Sequence, residues 1–275
     1  MGLYIQTNIS SLQSQKNLLA NQANLTKSFN KLSSGFRINS AADDAAGLAI
    51  SESMKSQIRS YTVAERNAND GISMAQTGEG ALGEMHDVLG RLRELAIQSA
   101  NGSLTQNDRG FIQTEFNLLQ SEIGRIQNSA KFNGKQLVSP TTTSITFQVG
   151  LDNTASDQIS VSFGGLSLSQ VILSAAVSGA TTSQALASLA IIDAAITGVS
   201  TARSNFGSAM NRLSVATSNI QTMRINLSAA NSRIRDVDVA SETSIMSRNQ
   251  VLTQAGVSIL AQANQMPQLA SQLLR

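Results

Sequence analysis

Between Leu189 and Leu227, residues that are mostly apolar recur at alternating intervals of three and four positions. Because an α-helix turns once in about 3.6 residues, this spacing puts the side chains on one face of a single long helix. A stripe that continues over several heptads is typical of helices that pack as in a coiled coil. Proline, which interrupts helices, occurs only at Pro140 and Pro267, so long helices are permitted almost everywhere.

An earlier region carries a similar pattern in two parts. One stripe contains Ile58, Tyr61, Ala68, Ile72 and Ala75, and after a change of phase a second contains Leu82, Met85, Leu89, Leu92 and Ala96. Asn101-Gly102 then predicts a helix end. A third helical pattern runs from Phe111 to Ile126 and is expected to end near Asn133-Gly134. The sequence therefore predicts at least three long helices before any terminal segment is considered.

Both termini are predicted to be amphipathic helices. The apolar positions are Ile5, Ile9, Leu12 and Leu19 near the start, and Ile245, Leu252, Ile259 and Met266, every seven residues, near the end. A helix with one apolar face is not stable alone in water, so we expect each terminal helix to be the partner of the other. The charges agree with this, because residues 1–42 and 243–275 contain basic but no acidic residues.

The middle of the chain has a different pattern. Residues 145–149 and 158–163 alternate apolar and polar side chains, and the polar residues 151–157 separate them. This predicts one β-hairpin. The Gly-, Ser-, Ala- and Thr-rich residues 164–183 give no assignment beyond a loop or linker. The predicted fold is mainly α, a long antiparallel helical bundle or coiled-coil rod with one small β-hairpin.

The residues for most catalytic and metal chemistry are missing or badly placed. The chain has no cysteine and a single histidine, His86, which excludes disulfides, cysteine-based zinc sites and histidine clusters. Residues 78–83 match the dinucleotide motif G-x-G-x-x-G, but they interrupt a helical pattern and Glu79 would repel a pyrophosphate, so close helix packing is preferred. Aromatic residues make up only 4% of the chain, too few for a sugar-binding cleft around paired carboxylates. We expect no enzyme activity, no cofactor and no metal.

Two adjacent aspartates follow the first Leu-rich segment, after Asn39 and Ser40. Acidic side chains at a helix start accept hydrogen bonds from free backbone N–H groups and interact favourably with the helix dipole. Asn39, Asp43 and Asp44 are therefore predicted to form a connector and helix cap between two long helices.

Nucleic-acid and membrane partners are not expected. The basic termini are rich in Asn, Gln and Ser and lack the interleaved aromatic residues of a single-strand binder. No run reaches the roughly 18 consecutive apolar residues of a membrane span. The first residues lack the apolar centre of a secretory signal peptide, so export would need another route.

Several long motifs, in order, resemble those of bacterial flagellins. The N-terminal signature is LSSGFRINSAADDAAGLAI, residues 32–50, and the resemblance continues through residues 66–72, 75–77, 79–82, 91–96 and 132–134. At the other end the similar segments are residues 232–238, 254–256, 260–265 and 267–268. The resemblance covers residues 4–138 and 184–275.

The resemblance implies a secreted structural subunit that passes unfolded through a type III export channel and polymerises into the extracellular flagellar filament used for motility. It implies terminal helices that pair as an inner layer, D0, with the eight terminal apolar residues above as its packing residues, and a surrounding layer, D1. The expected layout is residues 1–33, N-terminal D0 helix; 34–46, connector; 47–183, N-terminal part of D1 with the hairpin; 184–232, C-terminal D1 helix; and 233–275, C-terminal connector and D0 helix.

The resemblance also implies partners. These are further copies of the chain in a helical homopolymer, an export chaperone, a filament cap and hook-junction proteins. Some flagellins are sensed by a vertebrate Toll-like receptor, and the matching positions are Arg91, Leu95 and Glu115. Only about 20 residues follow the hairpin before the next helix, so we expect a short flagellin without outer domains. A hook–filament junction protein or a minor flagellin is the alternative.

Overall fold

The computed structural model describes residues 7–166, 175–177 and 182–273. In this part of the chain five helices follow one another: α1 (Ile9–Ser34), α2 (Ala45–Ser99), α3 (Gln106–Ser129), α4 (Thr182–Arg235) and α5 (Val239–Leu273). Two antiparallel hairpins lie between α3 and α4, one of β1 (Lys131–Phe132) and β2 (Lys135–Gln136), the other of β3 (Thr143–Gln148) and β4 (Gln158–Phe163). The predicted mainly α class is confirmed.

The chain divides into two compact units. Residues 1–56 and 226–275 form unit 1, and residues 57–225 form unit 2. The long helices α2 and α4 contribute residues to both units. Unit 2 contains α3, the two hairpins and most of the buried apolar side chains, whereas unit 1 contains the terminal helices and the connectors that follow α1 and α4.

The predicted stripe of α4 is confirmed, because each of its positions from Leu189 to Leu227 is buried or half-buried. On α2 the predicted change of phase is wrong. The buried positions advance by alternating three and four residues without a break: Ala64, Ala68, Gly71, Ala75, Gly78, Leu82, Met85, Leu89, Leu92 and Ala96. Two of them are glycines, which a search for large apolar residues does not count, so the stripe was predicted to be interrupted.

Gly78 explains the glycine-rich hexapeptide at residues 78–83. This segment lies in the middle of α2, and a Cβ on Gly78 would stand 2.9 Å from Cε2 of Phe206. The ring of Phe206 packs against Phe163 with centroids 5.1 Å apart. A Cβ on Gly80 or Gly83 would have no neighbouring atom within 4 Å. The motif therefore provides one close helix contact in the core of unit 2.

The predicted β-hairpin is confirmed and begins two residues earlier than expected. β3 pairs with β4 in a continuous register from Thr143 opposite Phe163 to Gln148 opposite Gln158. On β4 the alternate residues Ile159, Val161 and Phe163 are buried. The side-chain amide of Asn67 donates a hydrogen bond to the Gln148 carbonyl, 3.1 Å away, and so fixes the hairpin to α2.

Asn133-Gly134 is not the end of α3, which stops at Ser129. The dipeptide forms the turn between β1 and β2, with φ of 46° at Asn133 and 77° at Gly134. Two positive φ values are what a tight two-residue hairpin turn requires, and Asn-Gly is its preferred sequence. The prediction failed because the same dipeptide also ends helices.

Among the described helices, α4 contains an 18-residue window with a mean hydropathy of 1.6, long and apolar enough by composition to cross a membrane. Its side chains Ala185, Ile192, Ala195 and Val199 are buried within unit 2. In all, 28% of that window is buried.

Candidate functional site: the terminal helices and their connectors

The two terminal helices, α1 and α5, lie antiparallel in unit 1. Near the start of α1 the Asn8 side-chain amide donates to the Ala263 carbonyl, and the Ser11 hydroxyl donates to Oδ1 of Asn264, both at 2.7 Å. Near its end Nζ of Lys31 is 4.0 Å from Oε2 of Glu242. The two helices are thus each other's partner along nearly their whole described length.

The facing positions of this helix pair repeat every three and four residues, as in a coiled coil, but many are small or polar. We call them the seam: Ser11, Ser14, Leu18, Asn21, Leu25, Ser28 and Leu32 on α1, with Glu242, Met246, Asn249, Thr253, Gly256, Leu260 and Ala263 on α5. A Cβ on Gly256 would lie 3.3 Å from Cδ1 of Leu18, so the helices approach closely there. The large apolar side chains of the seam, Leu18, Leu25, Leu32, Met246 and Leu260, are only half-buried within one chain.

The apolar residues predicted for D0 packing lie outside the seam. We call them the outer apolar face: Ile9, Leu12, Leu19, Ile245, Leu252 and Ile259, which are between 39% and 66% exposed. Ile5 and the side chain of Met266 fall outside the described residues. Phe29, Val251 and Val257 are also exposed and were missed by the sequence argument. The seam was missed as well: Leu18, Leu25 and Leu32 repeat every seven residues within it, but the Ser and Asn positions between them are not apolar.

The connector after α1 is held by local hydrogen bonds. Gly35 has φ of 75°, a left-handed conformation that ends the helix, and its N–H donates to the Lys31 carbonyl at 2.9 Å. The Asn39 side-chain amide donates to Oγ of Ser34 at 2.9 Å and, less closely, to the Asn30 carbonyl. Asn39 therefore closes the C-terminal end of α1.

The adjacent aspartates have different tasks. Oδ2 of Asp43 accepts from the Ser40 N–H and hydroxyl, each at 3.0 Å, and from the Asn39 N–H at 3.2 Å. These bonds, the Ser40 N–H first, lower the pKa of Asp43. Oδ1 of Asp44 accepts from the Gly47 N–H at 2.9 Å. Asp43 thus closes the connector turn and Asp44 caps α2.

The second connector, between α4 and α5, pairs with the first. The Arg37 N–H donates to the Arg235 carbonyl at 2.6 Å, and the Val237 N–H donates to the Gly35 carbonyl at 3.0 Å. The Arg235 guanidinium lies over the Phe36 ring, 4.7 Å from its centroid, and forms an ion pair with Glu52. Backbone pairing and the cation–π contact therefore join the two connectors, and the ion pair joins the end of α4 to α2.

The residues matched to the innate-receptor patch do not all face the same way. Nη2 of Arg91 donates to Oε1 of Glu115 and Nη1 to Oε2 of Glu94, both at 2.8 Å, in an exposed network. These contacts, Glu94 first, raise the pKa of Arg91. Leu95 is only 1% exposed and lies in the core of unit 2, because it falls on the buried face of α2. Its side chain is inaccessible to a partner, which corrects the predicted patch.

Comparison with known proteins agrees with these features. The family model of the bacterial flagellin N-terminal helical region matches residues 5–143, and that of the bacterial flagellin C-terminal helical region matches residues 189–274. A flagellin of Halalkalibacterium halodurans is 41% identical over 273 residues, 99% of this chain and 100% of that protein. The chain belongs to the flagellin family, which is a family of structural proteins and not of enzymes.

Other relatives are longer than this chain. A B-type flagellin of Pseudomonas aeruginosa is 46% identical over 171 residues, which is 62% of this chain but only 35% of that protein. Among solved structures, a protein of Vibrio parahaemolyticus described as a putative flagellar hook-associated protein superposes with a TM-score of 0.61 at 16% identity. The match covers 70% of this chain and 100% of that one, and it supports the fold alone.

Proposed function

We propose that this chain is the subunit of a flagellar filament: it is exported, polymerises with copies of itself outside the cell and serves swimming motility. The observation that carries the proposal is the outer apolar face of the α1–α5 pair. Leu12, Leu19, Leu252 and Ile259 are each about half exposed or more in the single chain. Neighbouring copies of the same helix pair are the surface we expect to cover them.

The energetic argument compares the seam with the outer apolar face. Complete burial of a Leu or Ile side chain contributes about 1.5–3 kcal/mol, so covering one that is half exposed contributes roughly 1 kcal/mol. The six described residues of the outer apolar face would together supply several kcal/mol, against the cost of ordering and association. The seam contributes within the single chain through five half-buried large apolar side chains, Leu18, Leu25, Leu32, Met246 and Leu260. We therefore expect the terminal pair to gain further stability on assembly, when the outer apolar face is covered.

Unit 2 offers a second surface for copies of the chain. On α3, Phe111 and Leu118 are seven residues apart on one face and are 76% and 68% exposed. Exposed large apolar side chains at this spacing are typical of a helix that packs against another helix. We propose that this face also contacts neighbouring subunits, so that assembly involves both units of each chain.

Further partners follow from family membership as proposals. An export chaperone is expected to cover the outer apolar residues of α5 before assembly, and a filament cap and hook-junction proteins are expected at the filament ends. A vertebrate Toll-like receptor would contact Arg91 and Glu115, without Leu95. A reporter-cell response to monomer that is unchanged when both residues are replaced by alanine would reject that site.

Charged substitutions on the outer apolar face test the proposal. Leu252→Asp and Ile259→Asp would bury an unpaired carboxylate on assembly, at a cost of several kcal/mol. Gln254→Asp adds the same charge at an exposed polar position of the same helix and is the matched control.

Purified monomers of each variant are mixed with short wild-type filament fragments, and elongation is followed by light scattering and electron microscopy. We expect elongation by wild type and Gln254→Asp, and little or none by the other two. Normal elongation by the Leu252→Asp, Ile259→Asp double variant would reject the assigned face. Failure of the wild type to elongate would favour the hook–filament junction alternative.

A further inference from the structure

Three residues in unit 2, Ala175-Ala176-Val177, are held by side chains that bind only their backbone. From α3, the Gln120 side-chain amide donates to the Ala175 carbonyl at 3.0 Å. Oε1 of Gln113 accepts from the Val177 N–H at 2.6 Å. Two glutamines on one helix, seven residues apart, thus bind two ends of one short segment.

Two serines complete the arrangement from other helices. Oγ of Ser188, on α4, accepts from the Ala176 N–H at 3.1 Å and donates to the Ala176 carbonyl at 2.8 Å. Oγ of Ser99, at the end of α2, donates to the Val177 carbonyl. Four side chains from three helices therefore bind five backbone groups of a tripeptide, and each uses the donor or acceptor that its partner needs.

The site is internal. Ser99, Gln120 and Ser188 are buried, as are the side chains of Ala175 and Val177, whereas Ala176 is exposed. Two of the four side chains also have partners on their own helices, since Ser188 donates to the Gln184 carbonyl at 3.1 Å and the Gln113 amide donates to Oδ1 of Asn117 at 2.6 Å. The recognised features are the backbone itself, a small side chain at the first position and an aliphatic side chain at the third.

A further glutamine on α3 also binds backbone groups. Along the face of α3 that is turned to the core, glutamine alternates with apolar residues: Gln113, Phe116, Gln120, Ile123 and Gln127. The side-chain amide of Gln127 donates to the Leu166 carbonyl at 2.9 Å, so the third glutamine also binds backbone from the chain that follows the hairpin. A helix that only filled a core would place apolar residues at these positions.

We propose that Ser99, Gln113, Gln120 and Ser188 form a binding site for peptide backbone, the backbone acceptor site, which residues 175–177 of the same chain occupy. Its ligand class is a tripeptide of a small residue, any residue and an aliphatic residue. Because the bonds go to backbone groups, the site accepts such a tripeptide from another molecule when its own segment is displaced. This inference concerns unit 2 and does not depend on filament formation.

Displacement and addition of a peptide test the site. Val177→Asp in the full chain places a carboxylate in the buried third position and should expel the segment. A fluorescent synthetic peptide of residues 172–180 is then added, and binding is measured by anisotropy. We expect binding to Val177→Asp, no binding to the occupied wild type, and loss of binding when Gln120→Leu is added to Val177→Asp. A folded Val177→Asp chain that does not bind, or equal binding to wild type, would overturn the proposal.

Two measurements decide the matter if Val177→Asp does not fold. In wild type, the amide hydrogens of Ala176 and Val177 should exchange far more slowly than in an unstructured peptide, and unprotected rates would overturn the site. Lysine replacements give a matched pair, because Ala176→Lys should leave Tm unchanged whereas Ala175→Lys should lower it by several degrees. Equal shifts for the two neighbours would mean that no ordered backbone site exists.

Discussion

Replacement of Gly78 by alanine should destabilise unit 2, whereas the same replacement at Gly80, two residues later on α2, should stabilise it. A Cβ at position 78 would lie 2.9 Å from Cε2 and 3.4 Å from Cζ of Phe206. That ring is buried and packs against Phe163, so it cannot move aside without disturbing the core. Overpacking of this kind costs about 1–3 kcal/mol. The gain in helix propensity on replacing glycine by alanine is about 1 kcal/mol, which leaves a net loss of about 0–2 kcal/mol.

Gly80 is exposed, and a Cβ added there would meet no atom within 4 Å, so only the helix propensity changes. The expected gain is about 0.5–1 kcal/mol. Thermal unfolding of the monomers, followed by circular dichroism, measures the difference, since 1 kcal/mol shifts Tm by about 2–4 °C in a chain of this size. A Tm for Gly78→Ala that rises as much as that for Gly80→Ala would refute the close contact.

Three further substitutions or conditions probe the connectors. Gly47→Ala would bring a Cβ within 2.7 Å of the buried Cδ1 of Ile38. The first turn of α2 should therefore lose about 1–3 kcal/mol of stability and exchange its amide hydrogens faster. Unchanged exchange would contradict this close packing. Hydrogen bonds lower the pKa of Asp43 in the folded chain, so the ionised carboxylate stabilises the fold fully above about pH 4. This stabilisation is lost as the pH falls through the folded pKa of Asp43. An NMR titration that gives Asp43 an ordinary pKa would exclude this. Arg235→Lys keeps the charge but loses the planar contact with Phe36, and should cost about 0.5–1 kcal/mol in chemical unfolding; no loss would mean that the stacking contributes nothing.

The parts of the fold that sequence predicted correctly are those marked by large side chains. The stripe of α4 and the alternation of β3 and β4 follow directly from the periodicity of Leu, Ile, Val and Phe. Gly71, Gly78 and Gly256 could not be assigned in the same way. The reason for each glycine is the side chain that packs against it, and Phe206 and Leu18 are more than a hundred residues away from their glycines in the chain.

Only part of the candidate site was predicted from the sequence, for a related reason. Apolar periodicity located the outer apolar face of α1 and α5, but in the seam the apolar Leu18, Leu25 and Leu32 are interleaved with polar residues such as Ser11 and Ser28, and this mixed pattern was not recognised. For Leu95, matching residue identities to a receptor patch did not show which face of α2 carries the side chain, and this side chain lies in the core. The seven-residue spacing of Gln113 and Gln120 is evident in the sequence, yet their partners are more than fifty residues away.

The most direct test measures whether neighbouring copies cover the outer apolar face. Monomer and seeded polymer of the same wild-type chain are each exposed to a short pulse of hydroxyl radicals, and oxidation is quantified by peptide mass spectrometry at Leu12, Leu19, Leu252 and Ile259. We predict that these side chains are oxidised in the monomer and protected in the polymer, whereas exposed positions that no copy covers react equally in both. Equal oxidation of Leu252 and Ile259 in monomer and polymer would contradict assembly through the terminal helices.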